Sequence, residues 1–161
     1  MNRNRGTIGI ACVLTVAMIV LVAGTVMADD SVEAAVKAVV ERGVVMAVVE
    51  GEEAVLEAIS DAAGPFIDGD LYLFAGPLSS VTLTAHPYSP HLIGTDLTAT
   101  EDNHGNFLFV DFVSTASGAG AGWVEYWWPK PGAEEASRKM TYVMKVPGQD
   151  MYIGCGYYPA D

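Results

Sequence analysis

The sequence predicts an α+β domain: a five-stranded antiparallel sheet with helical cover. Two changes of pattern carry that expectation. Apolar residues recur at helical spacing as far as about Val49 and again around Val55, Leu56 and Ile59, whereas from Leu71 onward short β-prone runs alternate with Gly- and Pro-rich turns. The third observation is residues 122–146, where an aromatic and β-branched run (Trp123, Val124, Tyr126, Trp127, Trp128) meets a Pro-Gly turn and then a second run through Met140, Tyr142, Val143 and Met144. That reads as a hairpin with a longer connection. Strand runs that are neighbours in sequence favour antiparallel pairing.

At the amino terminus Arg3 and Arg5 precede an uncharged stretch, residues 6–28, that is apolar in its middle and ends Val26-Met27-Ala28. This describes a secretory signal peptide, and a run of about 20 apolar residues would also serve as an N-terminal membrane anchor. Either reading exports residues 29–161 to the periplasm or cell surface and leaves cleavage open. The remaining 133 residues (161 − 28) suit one domain. They hold 6 basic residues (8 − 2) and all 20 acidic ones, a formal charge of −14. Such a chain repels nucleic acid and anionic membrane surfaces. Cys155 stands alone once Cys12 is set aside, so no disulfide framework is expected.

Taken in order, Asp30 and Glu33 resemble a capping box that opens a long amphipathic helix with Val32, Val36, Val39, Gly43 and Met46 or Ala47 on its apolar face. Gly51 breaks it, and Glu52-Glu53 open a shorter helix with acidic residues at the positive end of its dipole. Gly64-Pro65 ends the helical part. Strands are expected over residues 71–75 and 81–86, then a long loop over 87–105, a short helix over 107–115, a flexible Gly/Ala connector over 117–122, the hairpin, and a last strand over 151–158.

The quoted runs GPFIDGDLYLF, AHPYSPHLIGTDL, GWVEYWWPKP and RKMTYVMKVPGQDMYIGCGYY, in that order behind a long helix, resemble the single Cache domain of extracytoplasmic sensors. The resemblance covers about residues 32–158. It implies a PAS-like fold, with the long N-terminal helix packed on a five-stranded sheet, and recognition of a small ligand, commonly a short organic acid, without chemistry done on it. Matching positions include His86, Pro87, Gly94, Gly122, Trp123, Tyr126, Trp128, Lys139, Tyr142, Gly154, Gly156 and Tyr158. Family members often continue into a membrane helix and a signalling module, whereas this chain stops at Asp161 with no second apolar span. The expectation is therefore a ligand-binding module without its own output domain, working through a signalling partner or a homodimer along the long helix.

A carboxylate leaving water needs a cation or several hydrogen-bond donors. The expected ligand-binding set is Lys139 for charge, Tyr126, Tyr142 and His86 for hydrogen bonds, and Trp128 as an apolar wall. On the residues alone Lys139 reads as a solvated strand lysine, and the tyrosines read equally as core aromatics. Parity puts Tyr126 and Trp128 on one strand face, but Lys139 and Tyr142 differ by an odd number and share a pocket only across a bulge. Arg138 and Lys145 read as surface charges beside Glu125, Glu134 or Glu135. His86, His91 and His104 with Asp96, Asp102 and Asp111 lack the tight spacings that zinc prefers, so neither metal nor cofactor is expected. No nucleophile elbow, phosphate loop or zinc-protease run is present, and Cys155 has no evident base, so an enzyme is not expected. The alternative function is an envelope protein-interaction module with a degenerate pocket.

Overall fold

The computed structural model describes the backbone of residues 11–160 and the side chains of residues 30–160. The expected signal peptide or anchor, residues 1–28, lies outside the residues whose side chains are described. By packing, the chain divides into Met1–Glu33 and Ala34–Asp161, and the second unit holds the whole sheet.

Helix α1 spans Ala11–Val49 and so ends where predicted. Its expected start does not hold: Asp30 and Glu33 lie inside the helix. A capping pair marks a start only where something interrupts the helix before it, and Met27, Ala28 and Asp29 contain no Gly or Pro to do so. Val36, Val40, Gly43, Val44 and Ala47 form its buried stripe. Gly43 lets the helix pack closely on the sheet, since a Cβ there would stand 2.7 Å from Leu73 Cδ1. Helix α2, Glu52–Ser60, buries Val55 and Ile59 and carries Glu52 and Glu53 in its first turn.

Five strands follow: β1 (Ile67–Asp68), β2 (Leu71–Gly76), β3 (Ala121–Pro129), β4 (Ala136–Lys145) and β5 (Tyr152–Tyr157). They pair antiparallel in the order β1-β2-β5-β4-β3. The count of five agrees with expectation, but one member differs. Residues 81–86 form no strand; Ala85 and Leu83 make isolated bridges to Ala75 and Ile93. The segment divides its backbone bonds, with Ala75 N–H donating to Ala85 O at 3.0 Å while Gly94 and Leu97 N–H donate to Leu83 and Val81 O at 2.9 Å each. Each neighbour meets the segment at one isolated residue pair only, so no ladder forms, and the short edge strand β1 takes its place.

Helix α3 spans Leu108–Gly118, three residues beyond its expected end, so the flexible connector shrinks to residues 119–120. It packs tightly on β3: a Cβ on Gly122 would lie 2.7 Å from Thr115 Cγ2. Phe109, Phe112 and Ala116 of this helix join Phe74, Val124, Tyr126 and Tyr152 in the core. The sheet is thus covered on both faces, by residues 34–49 of α1 on one and by α3 with the long loop on the other.

Candidate functional site

The register of β3 against β4 decides which side chains meet. It runs unbroken from Ala121↔Met144 to Pro129↔Ala136, pairing Tyr126 with Lys139 and Trp123 with Tyr142. Directly opposed residues share a face, and without a bulge the odd spacing of Lys139 and Tyr142 separates them. Val124, Tyr126, Trp128, Lys139 and Thr141 look toward α3. Trp123 and Tyr142 look toward α1, where Lys37 Nζ stands 5.6 Å from each ring centroid.

Glycines in β5 make room on the α3 face. A Cβ on Gly154 would lie 2.5 Å from Phe74 Cζ, and one on Gly156 would lie 2.1 Å from Thr141 Oγ1 and 2.6 Å from Lys139 Cε. Into that space fold Phe74 and Phe112, with centroids 5.2 Å apart, and Phe112 and Tyr126, also 5.2 Å apart. Tyr72, Phe74, His86, Phe112, Tyr126 and Trp128 are among the residues enclosing a cavity of about 10 Å³. Beside it opens a groove of about 400 Å³ between residues 88–92 and residues 129–133. Tyr72 and Trp128 line both spaces.

Lys139 is fully buried, 0% exposed. Its Nζ donates to Tyr72 Oη at 2.8 Å and lies 4.0 Å from the Tyr72 ring centroid and 5.0 Å from that of Tyr158. Among the described residues Arg138 pairs with Glu125 at 2.7 Å on the surface, whereas Lys139 makes no direct ion pair and feels Asp70 only through longer-range attraction. Burial pulls the ammonium down to about 7, against the pull of Cys155 and Asp70. Lys139 lines neither the cavity nor the groove; Tyr72 covers it.

His86 Nδ1 accepts from the backbone N–H of Tyr88 at 3.1 Å and of Ser89 at 3.0 Å. An Nδ1 that accepts leaves the ring proton on Nε2, so His86 is a neutral donor toward the aromatic cluster. Burial, then the charges of Lys139 and His91, lower its pKa to about 3. Tyr126, 2% exposed, shares a 2.9 Å hydrogen bond with Thr141 Oγ1. Burial raises its phenol pKa, with the Thr141 bond opposing. Tyr158 Oη donates to Pro129 O at 2.8 Å and so ties the end of β5 to the hairpin.

His86, Tyr126, Trp128 and Lys139 therefore gather on one face, and Tyr142 lies on the other. Sequence reasoning left out Tyr72 and Thr141 and noted Tyr158 only as a family match, not as part of the ligand-binding set. Alternation from Lys139 reaches Thr141, and alternation from Phe74 reaches Tyr72, so parity carried to every strand finds two of the three. It also missed Asp102, one of the acids weighed as metal ligands. Its carboxylate accepts from the N–H of His104, Asn106 and Trp127 and from Asn106 Nδ2, at 2.8–2.9 Å. Burial raises its pKa, but these bonds outweigh that and hold it at about 2. His104 stacks on Trp127 with centroids 3.7 Å apart. Asp102 thus pins the long loop to the exposed edge of β3. Cys155 is fully buried and its thiol is pushed up to about 11 by burial, with Lys139 opposing, which keeps it protonated at neutral pH.

The chain matches the family model described as Single Cache domain 2 over residues 22–161. Among solved structures it is similar to a periplasmic sensor domain of a chemotaxis protein, at 32% identity and TM-score 0.63 over 87% of this chain and 98% of that one. It is also similar, at 25% identity and TM-score 0.63 over 89% and 98%, to a Cache chemosensory domain studied for carboxylic acid recognition. The methyl-accepting chemotaxis protein McpP of Pseudomonas putida is 36% identical over 94 residues, 58% of this chain; the match spans 17% of that much longer protein. With residues 34–49 of α1 laid on a five-stranded antiparallel sheet, an aromatic, lysine-bearing cluster on the opposite face and the family model matched over residues 22–161, the chain belongs to the single Cache domain 2 family.

Proposed function

We propose that this domain is an extracytoplasmic sensory module that binds a small organic acid and does no chemistry on it. One observation carries the reading: a fully buried lysine, with no carboxylate partner among the described residues, stands behind an apolar, aromatic enclosure. A buried cation of that kind is costly until an anion reaches it. Lys139 supplies the charge, His86 Nε2 a directed hydrogen bond, and Trp128 with Phe109 and Phe112 the wall for a short apolar tail. The solved Cache domain studied for carboxylic acid recognition supports the ligand class. The chemotaxis relatives, one of them a periplasmic sensor domain, support a periplasmic address and a sensory role; anchoring through the N-terminal segment and relay to a signalling partner or through a homodimer belong to the same proposal.

Thermal unfolding with a panel of carboxylates tests this. A ligand at 100 times its Kd stabilises by about 2.7 kcal/mol, a shift of several degrees. Lys139→Met keeps the bulk, removes the charge and abolishes the shift. Undiminished binding by Lys139→Met overturns the reading. The cavity of about 10 Å³, barely the space that one water needs, favours a second reading, the protein-interaction module with a degenerate pocket. A cooperative melt that no carboxylate moves supports that one.

A further inference from the structure

We infer that Tyr72 is a displaceable gate on this site: it occupies the Lys139 ammonium, and an incoming carboxylate takes its place. The inference rests on the proposed ligand reading and deepens it. Three observations carry it. First, the cation is not open to any space where a ligand fits, because Lys139 lines neither the cavity nor the groove. Second, Tyr72 is what stands between, lining both spaces while holding Nζ by its hydroxyl at 2.8 Å and by its ring at 4.0 Å. Third, the space on the inner side is about 10 Å³ and that on the outer side about 400 Å³. A two-carbon acid fits only the outer one until Tyr72 swings.

Tyr72 is 2% exposed and its ring also lies 5.1 Å from that of His86, so the swing must be let out on the outer side. Outward, Tyr72 meets Tyr88 edge-on with centroids 5.1 Å apart, and Tyr88 is 37% exposed. The backbone of Tyr88 and Ser89 in turn holds His86 Nδ1, so the segment that flanks the gate also aims the His86 donor. The exchange selects for charge. A carboxylate offers the ammonium an ionised acceptor in place of a neutral phenol, and charge-assisted bonds are the stronger kind. A neutral amide of the same shape offers no such gain and leaves Tyr72 in place.

Stopped-flow measurement on the full chain reads this through tryptophan fluorescence, because Trp128 lines both spaces, with acetate and acetamide as probes. Tyr72→Phe keeps the ring and removes the competing hydroxyl. The expected result is an acetate association rate about tenfold higher, the equivalent of one hydrogen bond to a charged group, with a measurable gain for acetamide. Tyr88→Ala, which leaves Lys139 and Tyr72 intact and only loosens the outer packing, also speeds association. If Tyr72→Phe leaves association unchanged and speeds dissociation, Tyr72 is a ligand contact and the gate is overturned. Loss of acetate binding in Lys139→Met together with that outcome sinks the gate alone. Failure of the wild-type chain to take up any carboxylate sinks the gate and the ligand reading together.

Discussion

Lys139 titrates near neutrality, and the sign of its effect follows. Burial holds its pKa at about 7 in the folded chain, below about 10.4 for a free lysine. A depressed folded pKa means that its contribution to stability is complete above the unfolded value and is lost as pH falls toward 7. Anion binding runs the other way, because it needs the charged form. Carboxylate affinity is therefore expected to strengthen as pH falls from 9 to 6, by about tenfold per unit above the lysine pKa, and to level off below it. Calorimetry in buffers of different ionisation heat also reads proton uptake on binding. A flat pH profile would place the ligand away from Lys139. That this lysine is buried was not legible in its spacing, since a strand lysine is ordinarily solvated; only the resemblance to a family singled it out. Its separation from Tyr142 was legible as a parity conflict, and the unbroken register resolves it.

Among the elements, β5 decides how much room the site has. Gly156→Ala would drive a Cβ to within 2.9 Å of the Met140 carbonyl as well as into Thr141 and Lys139. Overpacking of this kind costs about 1–3 kcal/mol, and the lowered urea midpoint should come with weakened carboxylate binding. Gly118→Ala, where a Cβ meets nothing within 4 Å, is the control and leaves the midpoint unchanged or raised. The hairpin of β3 and β4 was legible because β-branched and aromatic residues flank a Pro-Gly turn. The false strand over residues 81–86 had the same composition, Val-Thr-Leu-Thr-Ala-His, and composition does not tell whether a run pairs over several residues or, as here, only at isolated positions. Asp102 shows the same limit at a loop: an Asp-Asn-His-Gly-Asn sequence announces a turn, but not that the turn reaches 25 residues along the chain to the backbone of Trp127.

At the scale of the whole molecule the sheet separates two differently packed faces. One face carries α1, with Gly43 against Leu73 and Lys37 between Trp123 and Tyr142; the other carries the site. The chain bears a formal charge of −12, so an anionic ligand approaches against its field, with Lys130 at the groove as a single opposing charge. Screening weakens that repulsion as the Debye length falls from about 30 Å at 0.01 M salt to about 8 Å at 0.15 M. Acetate association is accordingly expected to quicken with added salt, the reverse of steered association, and stopped-flow rates across that range check it. A rate that falls with salt would mean that the local cations govern approach. On the proposed reading, the charge on Lys139, which Asp70 only partly offsets, gives one more effect. A bound acid would complete that charge, so the composition of the medium would enter the folding equilibrium directly. The fold is then expected to be firmer where small acids are plentiful than where they are scarce.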